Sequence, residues 1–402
     1  MSDHTRKDVV FFRHLPKTAG TSLTTTLANI YGDAQTYRFR DVGEGFGGLF
    51  SGVLQARGDV LSLVSGHIPL LLIPEGACGT EFTILREPIA RLLSLRRFLE
   101  QQPADHRARM GLGDTVTIAD MLASRNAEVY GQIRNGMARF FSSHSTFSDP
   151  EAAEFWHPPE DGRVIEDCAE VLGRMTAGTV EDMPSFLRNL QRRLGVPYEM
   201  EIGVENFTVE RGGDAALEDI RALIEVNAID LALFNVVMKR VPKASRGGVS
   251  LLGAEIDRRT LFAPQPGQQY SPANIPGRQG FELFEHRGKL CWIGDTGRGR
   301  IHLAPCETAQ TLTLSLYGVV PHYPMSEMVF TVDGGRWRRE FSQSDSNGHY
   351  RLATIPPHAN VIELAIIQPY ATPAAAITPG SPDRRRLGAA LLGIRSEAQT
   401  LA

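Results

Sequence analysis

The chain has 402 residues, more than one typical domain needs, so two hydrophobic cores are expected. Hydrophobic residues make up 42% of it and charged residues 22%, the balance of an ordinary globular protein. A formal net charge of -4 excludes a global attraction to nucleic acids or anionic lipids, so an anionic ligand would have to bind a local basic patch. The sequence shows no signal peptide and no apolar run of about 18 residues, so we expect no membrane span and a cytoplasmic location.

The first element predicted along the chain is a buried strand at residues 9–12, followed by a short turn and by a helix near residues 20–31. The turn contains Lys17, Gly20 and several hydroxyl side chains. A glycine lets the backbone approach a ligand closely, a helix start directs free N–H groups at an anion, and the lysine adds a positive charge. The ATP and GTP form of such a loop has a glycine before the lysine, where this chain has Pro16. The pattern therefore predicts a phosphate-binding loop of another kind.

Two further strand ends carry polar residues. A strand at residues 61–65 leads to Gly66 and His67, and an apolar strand at residues 82–85 leads to Arg86 and a helix that begins near Pro88. The planar guanidinium of arginine suits a phosphate well. Between the first two strands, residues 43–48 are rich in glycine, but they do not join a strand to a helix, so we interpret them as a loop rather than a dinucleotide site.

These segments together resemble the PAPS-dependent sulfotransferases, in particular the carbohydrate branch that includes the heparan sulfate 2-O-sulfotransferases; PAPS is 3'-phosphoadenosine 5'-phosphosulfate. Residues 16–22 resemble the family's 5'-phosphosulfate loop. Arg86 and Ser94, eight residues later, resemble its 3'-phosphate site, and the Gly66-His67 pair resembles the segment that carries its catalytic histidine. The resemblance implies a bacterial-type member with an α/β, P-loop-like three-layer fold and a central parallel sheet.

The resemblance also implies the chemistry. PAPS would be the co-substrate, a hydroxyl of a carbohydrate or glycoconjugate the acceptor, and no metal would be needed. His67 would be the general base and Lys17 would stabilise the leaving phosphate, with Glu87 and His14 as reserve candidates for the base. The donor would be held by Pro16, Lys17, Thr18, Ala19, Gly20, Thr21, Ser22, Arg86 and Ser94. Two alternatives stay open: a P-loop kinase that uses ATP and magnesium, and a non-catalytic glycan-binding protein.

Further helices are predicted at residues 89–99 and 118–123, in two segments between 164 and 194, and as one long amphipathic helix at 217–239. Residues 132–141 resemble the family's helix that bears an Asn and an Arg near the acceptor cleft. Asn135 and Arg139 are four residues apart and would share a helix face, either at that cleft or as a surface hydrogen-bonded pair. Arg134 and Arg139 either contact an anionic sugar or belong to a solvated helix face, which we favour. The Asn227 to Phe234 segment resembles the pattern with which sulfotransferase domains end, and we interpret it as core packing.

A change of composition divides the chain. We predict a first domain at residues 1–242, a linker at 243–256 and a second domain at 257–402. The basic, glycine-containing linker has an alternative interpretation as a flap over the cofactor. Short strands with turn signals at 333–335 and 346–348 predict an antiparallel β-sandwich that either binds carbohydrate or mediates assembly.

The aromatic residues of the second domain and the four cysteines can be interpreted from their positions in the sequence. The aromatic side chains of the second domain are either sugar platforms or, as we favour, core residues: Trp292, Tyr317, Tyr323, Trp337 and Tyr350. Cys78, Cys168, Cys291 and Cys306 lack the spacing of a zinc site, and we expect four reduced thiols. A contact between Cys291 and Cys306 in adjacent strands stays open. The oligomeric state is not predicted.

Overall fold

The computed structural model describes residues 9–39, 60–67, 79–142, 161–202, 215–240, 256–283, 290–294, 296–318, 320, 323–344, 347–373 and 386–398. The glycine-rich run at 43–48, the proposed basic flap at 243–248 and Cys78 lie outside these residues. So does the predicted linker, apart from Ile256.

The first part of the chain is an α/β domain built on one parallel sheet. Its five strands are β1 (Val10–Arg13), β2 (Thr36–Phe39), β3 (Leu63–Gly66), β4 (Glu81–Leu85) and β5 (Thr176–Thr179). They lie in the order β2-β3-β1-β4-β5 and every neighbouring pair is parallel. The predicted central parallel sheet is therefore confirmed.

Ten α-helices of this domain lie within the described residues. They are α1 (Gly20–Tyr31), α2 (Pro88–Glu100), α3 (Ala104–Arg109), α4 (Ile118–Ala123), α5 (Ala127–Ile133), α6 (Gly136–Phe141), α7 (Asp161–Arg174), α8 (Met183–Arg193), α9 (Leu217–Val226) and α10 (Ala228–Arg240). The predicted helix at 20–31 agrees with α1. Among the described helices, none is long and apolar enough to cross a membrane.

Helices cover both faces of the sheet. On one face, apolar residues of α1 and α8, such as Leu27 and Leu190, share a core with Phe12 and Ile84. On the other face, α6, α7 and α10 share a core with Leu85 at the end of β4. A sheet covered on both faces needs strands that are apolar throughout, and the burial of all four residues of β1 fits this requirement.

The long helix predicted at 217–239 is wrong. The structure has two helices, α9 and α10, with Asn227 between them. The Asn227 side chain is buried and donates hydrogen bonds to the carbonyl oxygens of Leu223 (2.9 Å) and Ile133 (2.8 Å). These bonds satisfy the end of α9 and tie it to α5, which is why the helix does not continue.

The second part of the chain consists of antiparallel strands. They are β6 (Gln269–Tyr270), β7 (Arg278–Gln279), β8 (Phe281–Leu283), β9 (Cys291–Ile293), β10 (Arg298–Leu303), β11 (Gln310–Gly318), β12 (Val329–Val332), β13 (Gly335–Arg336), β14 (Arg339–Ser344), β15 (Asn347–Leu352), β16 (Ile362–Ile367), β17 (Thr372–Pro373), β18 (Arg386–Leu387) and β19 (Ala389–Ala398). One sheet has the order β13-β12-β16-β10-β7 and another β14-β15-β11-β19-β9-β8. Residues of both sheets, such as Ile301 and Leu314, share one core, so the arrangement is sandwich-like.

Two hairpins test the predicted turns. Between β12 and β13, Asp333 and Gly334 have φ angles of 46° and 79°, the left-handed conformations that a two-residue hairpin turn uses. The second hairpin joins β14 to β15. Asn347 and Gly348, which the sequence placed in this turn, belong to β15.

The aromatic residues mostly serve the core, as favoured from the sequence. Trp292, Tyr323 and Tyr350 are buried, and Tyr317 and Trp337 pack against the buried clusters. Among the described cysteines, Cys168, Cys291 and Cys306 are free thiols. Cys291 and Cys306 do not lie in paired strands. Strand β9, which contains Cys291, pairs with β8 and β19, whereas the backbone of Cys306 pairs with that of His358 in an isolated β-bridge.

The two parts of the chain are joined through α1. Arg278, fully buried in β7, forms an ion pair with Asp33 just beyond α1 (2.8 Å). The Asn29 amide of α1 donates to the carbonyl oxygen of Phe281 (2.8 Å), and the Tyr198 ring stacks on His302 at 3.6 Å between centroids. Buried polar pairs of this kind fix one relative placement of the elements that contribute them.

Candidate functional site

The predicted site residues lie at one edge of the parallel sheet. His14 follows β1, His67 follows β3 and Arg86 follows β4, and these three strands are neighbours with β1 in the centre. The chain crosses from β3 over β1 to β4, so the order of strands reverses beside β1. In open parallel sheets, ligands bind outside the carboxyl ends of the strands at such a reversal.

The loop between β1 and α1 has an unusual backbone. Lys17 and Ala19 both adopt the left-handed conformation, with φ angles of 68° and 60°. The Thr18 side chain is buried and its hydroxyl donates to the carbonyl oxygen of Leu15 (2.7 Å). Alternation of left- and right-handed residues turns successive backbone N–H groups to one side and creates an anion-binding concavity. Because α1 begins directly afterwards, at Gly20, its free N–H groups add to the same site.

Gly20 is required by the packing of this loop. A Cβ atom at this position would lie 1.7 Å from the Cδ2 atom of His14. The imidazole of His14 therefore occupies the space next to the start of α1, and no other residue fits at position 20 without moving it.

His14 has the environment of a structural residue. Its ring stacks on Phe12 at 5.8 Å and lies 4.8 Å from the ring of His67, measured between centroids. Burial lowers the pKa of His14 to about 3, and the nearby His67 and Lys17 contribute in the same direction. A group with so low a pKa is a weak base near neutrality. His14 is thus poorly suited to the reserve role of general base.

The lowered pKa of the half-buried His14 predicts a pH-dependent stability. The pKa of His14 in the folded protein is below the ordinary value of 6.5, so at a pH between the two values the unfolded chain binds a proton at His14 and the folded chain does not. This contribution to stability is fully present above pH 6.5 and is lost as the pH falls, at about 1.4 kcal/mol per pH unit. We expect the free energy of unfolding to fall less between pH 7 and 5 in His14→Gln than in the unmodified protein, by up to about 2 kcal/mol. Urea titrations at both pH values measure it, and equal pH dependence of the two proteins would contradict it.

Lys17 and Arg86 form a positive cluster in this edge of the sheet. Burial lowers the pKa of Lys17, and the charge of Arg86 lowers it further. The Lys17 Nζ atom lies 4.3 Å from the centre of the Phe98 ring on α2, a cation–π contact. A lysine with another cation beside it has its charge poorly compensated, which favours an anionic ligand.

The other predicted donor-binding residues lie in the loop before α1, in α1 itself and in α2. Ser94 lies on α2 and is only 8% exposed, and Ser22 on α1 is 9% exposed. Thr21 is exposed at the first turn of α1, and Pro16 is half-buried in the loop. One strand away, the Ser65 hydroxyl hydrogen-bonds the Thr24 hydroxyl (2.6 Å), which ties the end of β3 to α1.

Glu87, the other reserve candidate for the base, is a helix cap. Its carboxylate accepts hydrogen bonds from the backbone N–H groups of Ile89 (3.1 Å) and Ala90 (2.6 Å) at the start of α2. The carboxylate thereby satisfies two N–H groups that have no partner within the helix. These contacts give Glu87 a structural role at the start of α2.

We expect Glu87→Ala to lower the free energy of unfolding by about 1 kcal/mol, the usual worth of an N-cap side chain. Glu87→Asp, which keeps a capping carboxylate, should lose less. Glu100→Ala, at the exposed far end of the same helix, is the matched control and should not destabilise, because a negative charge there opposes the helix dipole. Thermal or urea unfolding measures all three, and equal stabilities of the two alanine variants would refute the capping role.

The predicted helix face of Asn135 and Arg139 is wrong. Asn135 lies between α5 and α6 with a left-handed φ of 49°, and its side-chain oxygen accepts from the N–H groups of Ile229 and Asp230 (both 3.2 Å). Arg139 is 7% exposed, and its Nε atom donates to the carbonyl oxygen of Arg134 (2.8 Å). The favoured interpretation as a solvated face is therefore corrected, because the guanidinium is buried.

A buried ion pair beside this region was not predicted. Arg91 and Asp230 are both buried, with the Arg91 Nη2 atom 3.9 Å from the Asp230 carboxylate and 2.6 Å from the carbonyl oxygen of Gln132. Asp230 also accepts from the N–H groups of Met137 (3.0 Å) and Ala138 (2.8 Å) at the start of α6. The expected core role of the Asn227 to Phe234 segment is confirmed, and these bonds show its physical basis.

Within the described residues, no three His, Cys, Asp or Glu side chains lie close enough together to share a metal ion. No known family profile matches the chain, and no curated protein matches it. Among solved structures, one similar chain is a family GH115 4-O-methyl-α-glucuronidase with specificity for decorated arabinogalactans, at 12% identity and a TM-score of 0.21. Another is a cycloisomaltooligosaccharide glucanotransferase of Paenibacillus sp. in complex with cycloisomaltoheptaose, at 9% identity and a TM-score of 0.18.

These alignments cover 91% and 98% of this chain but only 51% and 58% of the other two. The chain thus spans little more than half the length of either structure. TM-scores this low do not indicate a common fold.

Proposed function

We propose that this chain is a sulfotransferase that moves the sulfuryl group of PAPS to a hydroxyl of a carbohydrate or glycoconjugate, at a P-loop-like donor site. The observation that carries the proposal is the loop with two left-handed residues at the carboxyl edge of the sheet, where the positive charge of Arg86 acts on Lys17. Backbone N–H groups of the loop together with the side chains of Lys17 and Arg86 suit a ligand that carries more than one phosphate.

The residues divide between the two ends of such a donor. The loop at 16–22 would hold the 5'-phosphate through its N–H groups and through Lys17, and Arg86 with Ser94 would hold the 3'-phosphate. The fit is supported by Gly20, where the absence of a side chain leaves room for His14 beneath the loop. The bound donor would supply an activated sulfuryl group with a phosphate as its leaving group.

His67 would take the proton of the acceptor hydroxyl on its imidazole as the acceptor oxygen bonds to sulfur. The bond between sulfur and the bridging oxygen breaks, and its electron pair stays on the phosphate oxygen, where the charge of Lys17 would stabilise it. His14, beside His67, remains uncharged through this step because its pKa lies near 3. A neutral neighbour avoids the repulsion that a second imidazolium would exert on the protonated base.

Binding of 3'-phosphoadenosine 5'-phosphate compared with ADP tests the donor. We expect the bisphosphate to bind about ten- to a hundredfold more tightly, the worth of hydrogen bonds from a charged group, and Arg86→Ala to remove most of that preference. Calorimetry with and without magnesium measures the dissociation constant of each nucleotide. Tighter binding of ADP, and only with magnesium, would favour the kinase alternative.

Transfer itself is tested with radiolabelled PAPS and a panel of extracted glycans. We expect label in at least one acidic or neutral glycan with the unmodified protein and none with Lys17→Ala. Binding of a glycan without transfer of label would favour the non-catalytic alternative.

A further inference from the structure

A second polar cleft lies at the opposite edge of the parallel sheet, where β4 and β5 begin. It has a volume of about 1110 Å³ and is lined by the first residues of these strands and by the carboxyl ends of α7 and α8. Small-molecule sites in proteins have volumes of roughly 300–1,000 Å³, so this cleft is large enough for a ligand of several units. Since β4 runs from the cleft to Arg86, the two sites are separated by a strand of five residues, about 17 Å at 3.3 Å per residue.

Four arginines line this cleft: Arg13, Arg174, Arg192 and Arg193. Arg13 is 2% exposed and forms an ion pair with Glu81, with 3.1 Å between Nε and Oε2. Arg174 pairs with Glu170 one turn earlier on α7. Among the described residues, no carboxylate forms an ion pair with Arg192 or Arg193, so two of the four arginines in the cleft have no acidic side chain as a partner.

The cleft contains more arginines than are needed to offset the negative ends of the two helix dipoles. The carboxyl ends of α7 and α8 each carry about half a negative charge from the helix dipole. One cation between them would offset both. The two helices pack on opposite faces of the sheet, through Leu172 on one side and Leu190 on the other, yet their terminal arginines line the same cleft.

Part of the cluster is held in place without a ligand. The Arg192 Nη2 atom donates to the Asn189 side-chain oxygen (2.9 Å), and Asn189 also lines the cleft. Arg13 is fixed by burial and by Glu81 at the base. A guanidinium that is already oriented loses less conformational freedom when it binds a planar or tetrahedral oxyanion.

We infer that this cleft binds a ligand carrying two or more sulfate or phosphate groups. Arginine forks bind such oxyanions through paired hydrogen bonds, and the pair of adjacent arginines at the end of α8 presents two forks. With a net charge of -4, the chain has no overall attraction to polyanions, so binding depends on this local cluster. The inference is independent of the donor site, because none of its residues lies among those assigned to PAPS.

The test measures binding of three probes to the full-length protein by calorimetry at low and at moderate salt. The probes are a fully sulfated hexasaccharide, its unsulfated counterpart and inorganic tripolyphosphate. We expect the sulfated sugar or tripolyphosphate to bind in the unmodified protein and in Lys17→Ala, and the unsulfated sugar not to bind. The double variant R192E/R193E should weaken binding at least tenfold, and added salt should weaken it in the unmodified protein.

The matched control is R336E/R338E, which makes the same change of charge at two exposed arginines of the β-domain. Its affinity should stay within twofold of the unmodified protein. Binding of both anionic probes, or of one alone, supports the cleft and identifies the ester that it prefers. Equal affinity in R192E/R193E and in the control, loss of binding in Lys17→Ala alone, or failure of all probes to bind would overturn the inference.

Discussion

Replacing His67 with alanine should lower the rate of sulfuryl transfer by about two to four orders of magnitude, the usual worth of a general base. Affinity for 3'-phosphoadenosine 5'-phosphate should change little, because the loop at 16–22, Arg86 and Ser94 would bind the nucleotide. The loss should therefore lie in kcat rather than in the affinity for the donor. Steady-state rates with labelled PAPS, together with calorimetry of the bisphosphate, separate the two quantities.

The matched control for this variant is His349→Ala. His349 is an exposed histidine of β15 that hydrogen-bonds Ser315 (3.0 Å), far along the chain from the candidate site. Its loss should leave kcat and donor affinity within a factor of two. Unchanged turnover in His67→Ala, with bisphosphate binding intact, would remove His67 from the mechanism and leave the donor site standing.

Replacing Asp230 with alanine should lower the free energy of unfolding by about 3–5 kcal/mol, as expected when one partner of a buried ion pair is removed. Arg91 would keep a charge in a fully buried place without its carboxylate. The N–H groups of Met137 and Ala138 would also lose their acceptor. Urea denaturation followed by circular dichroism measures the change.

Asp114→Ala is the control, because Asp114 pairs with Arg107 at 3.0 Å but its side chain is 97% exposed. Exposed pairs contribute about 0–1 kcal/mol, so this variant should lose little. Asp230→Asn keeps one acceptor oxygen and should fall between the two, which provides a measurement if the alanine variant does not fold. Equal losses in Asp230→Ala and Asp114→Ala would contradict the role assigned to the buried pair.

The parallel sheet and its first helix could be predicted from sequence because their signals are local. The strand at 9–12 is apolar at successive positions, as a strand buried on both faces must be. The glycine-containing loop after it indicates where α1 begins. The three strand ends of the candidate site follow from the same signals, since neighbouring parallel strands bring their carboxyl ends together.

The division of the predicted helix at 217–239 depends on contacts that are remote in sequence. The apolar spacing continues across Asn227, and the break arises because Asn227 bonds the carbonyl oxygen of Ile133 and accepts from the N–H group of Asn135 (2.9 Å). Both partners lie more than 90 residues earlier in the chain, so no local pattern could reveal them.

Buried arginines were missed for a related reason. Arginine is rarely buried without a partner, so an arginine on a helix is reasonably taken as solvated. Arg91 and Arg139 are buried because Asp230 and the carbonyl oxygens at the end of α5 surround them. Acidic partners and carbonyl groups of this kind become visible only when the helices are packed.

Helix α1 couples the stability of the two halves of this protein, because it contacts both. It begins at the candidate donor loop, and its far end meets the antiparallel strands, where the Gly277 N–H donates to the Ile30 carbonyl oxygen (2.8 Å) and Arg278 holds Asp33. Truncation near residue 242 would remove these partners and expose apolar surface along α1. The first domain expressed alone should therefore be unstable or aggregate, and coexpression of the two halves would be the better way to study each of them.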